Sequence, residues 1–522
     1  MAELLAPHAL ERPDDAALID EHRTITWGEL NERVNRLVSG LRAAGAEDHD
    51  TVALMVGNRG EFFEVFAAAA HARWVVVPVN WHWVADELAY VLENSGATTV
   101  IVEEAYLDVA RSARLDPRTA GVRRWLIADR GAVAVDAFDT LDAVAAAGSP
   151  DEPADQGMGG PMFYTSGTTG FPKGVKSSLS STEMPTVMLS LISGSFCGML
   201  GLPTDGVTFL NGPAYHSAQW VFSMFPLLNG ATVVMRHRFD PTETLAVIDG
   251  YQVTNTHFVP TQFVRMLKLP DDVRAGFDGS SLTAVFHGAA PCSHEVKRQI
   301  LDWFGPVVHE YYGGTEGGFI SLIRGDEWLD RPGSLGRTVD IIEVMIVDSD
   351  SQALPAGETG QIYFRNIMGS DFSYHGDEEK TAAAHLSDGW GTLGDIGYLD
   401  ADGYLFLSDR KIDMIISGGV NIYPAEIEGV LVSHPSVADA AVFGIPHDEM
   451  GEQVMAVVEL VEDVTASSDL ADELVRLCRE KLAGYKAPRS LEFTAALPRT
   501  PTGKLTKRLL RDPYWEGTAR SI

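Results

Sequence analysis

"YTSGTTGFPKG", residues 164–174, holds three glycines and a lysine among hydroxyl side chains. Glycine lets a chain approach a ligand closely and lets several backbone N–H groups converge on it. Thr165, Ser166, Thr168 and Thr169 supply hydroxyl donors, and Lys173 supplies a mobile cation. The implied ligand is polar, anionic and bulky, as a chain of phosphates is. The stretch is not the nucleotide loop G-x-x-x-x-G-K-[ST], because no Gly-Lys-Ser/Thr follows the glycines. Pro172 and Lys173 are also poor residues for a flexible Ser/Gly linker.

Around this loop the chain alternates short apolar runs with helical patterns. "TVALMV" (51–56), "WVVVPV" (74–79), "TTVIVE" (98–103), "ATVVMRH" (231–237) and "LTAVFHG" (282–288) read as buried strands, and "EFFEVFAAAAHA" (61–72) as a helix. Continuous Val/Ile runs between helices are the signature of sheets covered on their faces. Near residue 410 the character changes. "GYLFLSDRKIDMIISGGVNIYP" (403–424) crosses two strands with a charged break at 409–413. A compact unit follows: a helix at 425–434, strands at 439–446 and 452–460, and a helix at 470–485 with Leu470, Leu474, Leu477, Cys478 and Leu482 on one face. The expected fold class is α/β, with a large N-terminal domain of helix-covered sheets (1–409), a hinge (410–413) and a small α+β C-terminal domain (414–522).

The 522 residues carry a net charge of −33, which argues against nucleic acid or anionic membrane as a general partner. Apolar content of 45% and charged content of 22% are those of a soluble globular protein. Cys197, Cys292 and Cys478 have no metal-binding spacing and read as reduced thiols. No basic region precedes an apolar core in "MAELLAPHALERPDDAALID", so a cytoplasmic location is expected. Residues 184–204 lack charge but contain serines, glycines and prolines, which favours a buried segment over a membrane span.

Four further stretches share the chemistry of the loop. "HEYYGGTEGG" (309–318) carries Thr315 and Glu316 after a Gly-Gly turn. "GTLGDIGYLDADGYL" (391–405) carries Asp395, "LSDRKID" (407–413) carries Arg410, and "LPRTPTGKLTKRLLR" (497–511) carries Lys504. With all five in this order, the chain resembles the adenylate-forming superfamily of acyl-CoA synthetases, luciferases and peptide-synthetase adenylation domains, from about residue 20 to 510.

The resemblance implies a two-step reaction: a carboxylate attacks the α-phosphate of ATP, then a thiol displaces AMP. Thr165, Ser166, Gly167, Thr168, Thr169, Gly170 and Lys173 would hold the β- and γ-phosphates. Glu316 would ligate Mg²⁺, whose preferred donors are carboxylate and phosphate oxygens, with Thr315 on a phosphate. Gly288, Ala289, Glu310, Tyr311, Tyr312, Gly313 and Gly314 would frame the nucleotide. Asp395 would take the ribose hydroxyls beside Arg410, and Lys504 would bridge the carboxylate and the α-phosphate.

On the acyl side, "PAYHSAQW" (213–220), "THFVPTQF" (256–263) and "VFHGAAP" (285–291) supply His216, Trp220, Phe258, Val259, Thr261, His287, Gly288 and, from the Gly-Gly turn, Gly314. His216 would act as a gate beside the carboxylate. The pattern is most similar to ligases for fatty, bile-acid-like or terpenoid acids, so a bulky hydrophobic carboxylic acid is the expected substrate.

The C-terminal domain of such enzymes is mobile, with the active site at the interface of the two domains. Ser417, Gly418 and Gly419 would flank the channel for coenzyme A, and a carrier-protein thiol is the alternative acceptor. Two departures stand out. Ala289 occupies a position where the family more often has glycine, and Ile412 replaces the usual Asp or Lys of the hinge. A partial ligase limited mainly to thioester formation therefore stays an alternative. A homodimer is left open.

Overall fold

A computed structural model describes residues 4–165, 172–290, 292–410, 413–417, 420–447, 450–482, 484–499 and 505–516, with backbone alone at Asp409, Arg410, Val420 and Asn421. Of the residues singled out above, Ser166, Gly167, Thr168, Thr169, Gly170, Ile412, Gly418, Gly419 and Lys504 lie outside the described residues, as does the side chain of Arg410.

The apolar runs become the strands of two large sheets. One has the order Asp139–Thr140, Arg124–Ile127, Ala97–Val102, Thr51–Met55, Val75–Pro78, Gly160–Pro161, with every neighbouring pair parallel. The other is centred on the parallel strands Ala284–His287, Asn255–Phe258, Val207–Leu210 and Thr232–Met235. Val308–Gly314 continues it in parallel before Gly318–Ile323 turns back antiparallel.

Helix Gly60–Ala72 is mostly apolar, as suits an interior helix, and every one of its residues is buried. It carries two buried carboxylates as well. Burial raises the Glu61 carboxyl above its ordinary range, opposed by Arg23 and Arg59. Glu64 meets Arg23, Arg33 and Arg130. Pairing of this kind is what makes interior charge tolerable.

The charge-free stretch forms helix Val187–Leu200, which packs through Phe196 on Phe222, Phe225 and Phe319 with ring centroids 5.4–5.8 Å apart. No described helix is long and apolar enough to cross a membrane.

Beyond the large sheets, strands Ile342–Val347, Gly360–Asn366, Asp395–Leu399 and Leu405–Arg410 form an antiparallel sheet. The small C-terminal domain pairs Val437–His447 with Gly451–Leu460 and adds Ile415–Ser417 and Ser490–Thr494 at the sides. Helices Pro424–Val432 and Ser468–Lys481 supply Ile427, Leu431, Leu474 and Cys478 to its core. The chain is thus a mixed α/β protein with a large N-terminal and a small C-terminal domain.

Candidate active site

Ligands of open parallel sheets bind outside the carboxyl ends of the strands, where successive loops converge. In the second large sheet those ends carry the acyl- and nucleotide-side motifs. His216 and Ser217 follow Val207–Leu210, Val259 follows Asn255–Phe258, Gly288 follows Ala284–His287, and Gly313 and Gly314 close Val308–Gly314. Adjacent parallel registers hold these ends side by side. Ser217 Oγ and Thr315 Oγ1 share a hydrogen bond at 2.8 Å, tying the start of helix Ser217–Leu228 to the turn before Glu316.

The opening loop is closed by a hairpin. Phe163–Thr165 runs antiparallel to Lys173–Lys176, with Thr165 opposite Lys173. The second strand also pairs with Ser373–Tyr374, which brings a distant segment alongside. Lys173 Nζ donates to Asp377 Oδ2 at 3.2 Å, and the Tyr374 hydroxyl donates to Glu316 Oε1 at 3.2 Å. Burial, then the Glu316 charge, pushes the Tyr374 hydroxyl pKa up, which keeps it a donor. The hairpin lysine and the Glu316 carboxylate are thereby joined into one polar cluster.

The residues expected at the ribose meet separately. Tyr312 donates to Asp395 Oδ2 at 2.7 Å in a buried contact, and Asp395 is the strand partner of Arg410. Neighbouring residues of a strand point to opposite faces. Tyr311, expected beside the nucleotide, accordingly turns the other way. Its ring stacks on Phe319 at 5.0 Å and its hydroxyl meets His257 Nε2 at 3.1 Å.

Three residues expected to line an acyl pocket prove to be core. Trp220 packs among Phe66, Phe163 and Phe225, and Phe258 packs on Phe263. His287 is fully buried and hydrogen-bonded through Nε2 to Lys297 Nζ. Each sits on an apolar stretch whose buried face wins the large ring. His216, Val259 and Thr261 are half-buried.

Glu310, expected beside the nucleotide, faces two buried basic side chains. Its Oε2 lies 3.7 Å from both Lys297 Nζ and His287 Nε2. Burial holds Lys297 and His287 below their ordinary pKa values and Glu310 above its own. Lys297 escaped sequence reading, although its spacing to Ile300 and Leu301 on one buried helix face was a legible signal. Ser417 pairs with Gly451 inside the C-terminal sheet.

The Gly288-Ala289 pair divides its constraints. A Cβ on Gly288 would come within 2.7 Å of the Tyr311 ring, so only glycine fits. Ala289 is exposed, and its departure is conformational: φ is +64°, the left-handed region. Alanine there costs about 1–2 kcal/mol relative to glycine in the folded chain. Glycine loses part of this through its freer unfolded state. Ala289→Gly is expected to stabilise the protein by up to about 1 kcal/mol. A melting temperature below that of the parent would contradict this account of the site.

Residues 5–369 match the family described as AMP-binding enzyme, and residues 426–504 match the AMP-binding enzyme C-terminal domain. The chain is 34% identical over 516 residues to a feruloyl-CoA synthase of Amycolatopsis sp, covering 97% of this chain and 96% of that one. It is 31% identical over 521 residues to the fatty acid–[acyl-carrier-protein] ligase ScoC of Streptomyces coeruleorubidus, covering 99% and 96%. Among solved structures, o-succinylbenzoate CoA synthetase (MenE) of Bacillus subtilis, in complex with the acyl-adenylate intermediate OSB-AMP, has a TM-score of 0.80 at 27% identity. It covers 100% of this chain and 99% of that one.

Proposed function

The chain belongs to the adenylate-forming AMP-binding enzyme family, whose relatives here are acid–thiol ligases, and on that footing we propose that it joins a hydrophobic carboxylic acid to coenzyme A. The acid and ATP give an acyl-adenylate and pyrophosphate, and the CoA thiol then displaces AMP. The observation that carries the reading is the joined cluster of Lys173, Asp377, Tyr374 and Glu316 beside Thr315. It offers one cation and two hydroxyls to a chain of phosphates, and carboxylates to the metal ion that would accompany it, at the carboxyl ends of parallel strands.

Within that scheme Thr165, the loop 166–170 and Lys173 hold the β- and γ-phosphates. Glu316 fits Mg²⁺, which is commonly held by one or two carboxylates together with substrate phosphates and water. When bound, the ion supplies charge neutralisation at the phosphates. Asp395, oriented by Tyr312, holds the ribose, and His216 borders the carboxylate. Lys504 serves the first step, and movement of the C-terminal domain about 410–413 brings 417–419 to the thiol channel for the second.

The acid is apolar and large. Phe222, Phe286, Tyr311 and Phe319 form an aromatic wall in the core beside these strand ends, an apolar backing for the acyl side. Each substrate methylene taken out of water is worth about 0.8 kcal/mol, or roughly fourfold in specificity, until the space is filled. A panel of carboxylates scored for AMP release with and without CoA should therefore rise steeply with apolar size. A best substrate as small as acetate, or a polar amino acid, would refute the assignment. Similarity to ScoC favours one second reading, transfer to a carrier-protein thiol. The same panel, run with a holo carrier protein in place of CoA, separates the two acceptors.

A further inference from the structure

One side chain in the phosphate-side cluster has no role in the scheme above. Lys380 lies in the short helix Glu378–Ala383, whose start is capped by Asp377 through the Lys380 backbone N–H at 3.0 Å. The other Asp377 oxygen receives Lys173. The Lys380 ammonium sits 4.0 Å from the centroid of the Tyr374 ring, whose hydroxyl is spent on Glu316. Among the described residues this half-buried ammonium forms no ion pair with a carboxylate, and residues 166–171 contain no acidic side chain. Its surroundings hold another cation, Lys173, with the Asp377 and Glu316 carboxylates acting on it from beyond ion-pair distance. Burial first, and Lys173 next, hold Lys380 down to a pKa of about 8.

A half-buried ammonium that shares its carboxylates with a second ammonium is incompletely compensated in the free protein. The arrangement becomes favourable when an anion of high charge density lies against both. We propose that Lys380 is a second cation of the phosphate site, contacting the β- and γ-phosphates of ATP and the departing pyrophosphate together with Lys173. The inference rests on the adenylation reading above. As an acid oxygen attacks the α-phosphorus, the bond from that phosphorus to the bridging oxygen of the β-phosphate breaks. Its electron pair leaves on pyrophosphate, so negative charge grows where the two lysines stand. A cation placed there in advance stabilises the transition state without reorganising. Tyr374 contributes by positioning: its ring faces the ammonium while its hydroxyl is fixed on Glu316.

Lys380→Met keeps the stem on the Tyr374 ring and removes the charge, whereas Lys380→Arg keeps the charge. Pyrophosphate binding to the full-length protein, measured by calorimetry without acid or CoA, should weaken about tenfold in Lys380→Met and recover in Lys380→Arg. Pyrophosphate–ATP exchange should fall by a similar factor. Acyl transfer from a supplied acyl-adenylate to CoA, which involves no pyrophosphate, should stay within about twofold of the parent and also reports correct folding. Pyrophosphate binding by Lys380→Met as tight as the parent's would overturn the proposal, and so would equal losses in both half-reactions. Because the binding measurement uses pyrophosphate alone, its result stands apart from whether the acid and the acceptor thiol are correctly assigned.

Discussion

Replacing Lys504 by alanine is expected to slow acyl-adenylate formation by about 10²–10³-fold while sparing acyl transfer from a supplied acyl-adenylate to CoA. Two anions, the acid carboxylate and the α-phosphate, must approach within bonding distance in the first step. One cation between them offsets the repulsion, and its loss is felt only while they are joining. The second step brings a thiol to an adenylate whose acyl–phosphate bond already exists, so the same charge has little to do. The assignment follows from the "TGK" context at 502–504, close to the C-terminal end of the small domain. Pyrophosphate release and acyl-CoA formation from the adenylate, followed separately, measure the two steps. Equal losses in both would remove the basis for assigning Lys504 to one conformation.

Whatever depends on local pattern was legible from sequence. Val/Ile runs at 51–56, 98–103 and 231–237 became strands because continuous apolarity suits a sheet covered on both faces. Helix Gly60–Ala72 and the amphipathic Ser468–Lys481 likewise declare themselves by period. Several residues of the ordered motifs also fall just beyond the ends of parallel strands.

What escaped was side-chain direction and long-range register. Motif membership grouped Tyr311 with Tyr312, yet strand alternation sends one to the aromatic wall and the other to Asp395. Trp220 and Phe258 have the right composition for a pocket but face the core. Asp377 and Lys380 carry no motif at all. Asp377 reaches Lys173 across 204 residues only because Val175 pairs with Tyr374, and Lys380 follows it on the next helical turn. The left-handed backbone at Ala289 was equally hidden, because alanine does not advertise a conformation it adopts at a cost.

The Tyr312–Asp395 pair supports a second large effect, one that differs in kind from that of Lys504. Asp395 is 3% exposed and accepts from Tyr312 at 2.7 Å, which fixes the carboxylate at the end of its strand. An ionised carboxylate has about four acceptor sites, enough for the phenol and for ribose hydroxyls together. Asp395→Asn keeps the shape but turns one acceptor into a donor, so either the phenol or a ribose hydroxyl meets the wrong partner. Hydrogen bonds to a charged group are worth about 1.5–3 kcal/mol, which corresponds to a loss of roughly tenfold to a hundredfold in nucleotide affinity. Ribose is bound in both half-reactions, so KM for ATP and the affinity for a supplied acyl-adenylate should both suffer. Tyr312→Phe removes the positioning hydroxyl alone and should cost about 0.5–1.5 kcal/mol. The double variant should lose less than the sum of the two, since the tyrosine acts through the carboxylate it orients. Strict additivity would mean that Tyr312 does not position Asp395. An Asp395→Asn enzyme with an unchanged KM for ATP would remove the carboxylate from the nucleotide site altogether.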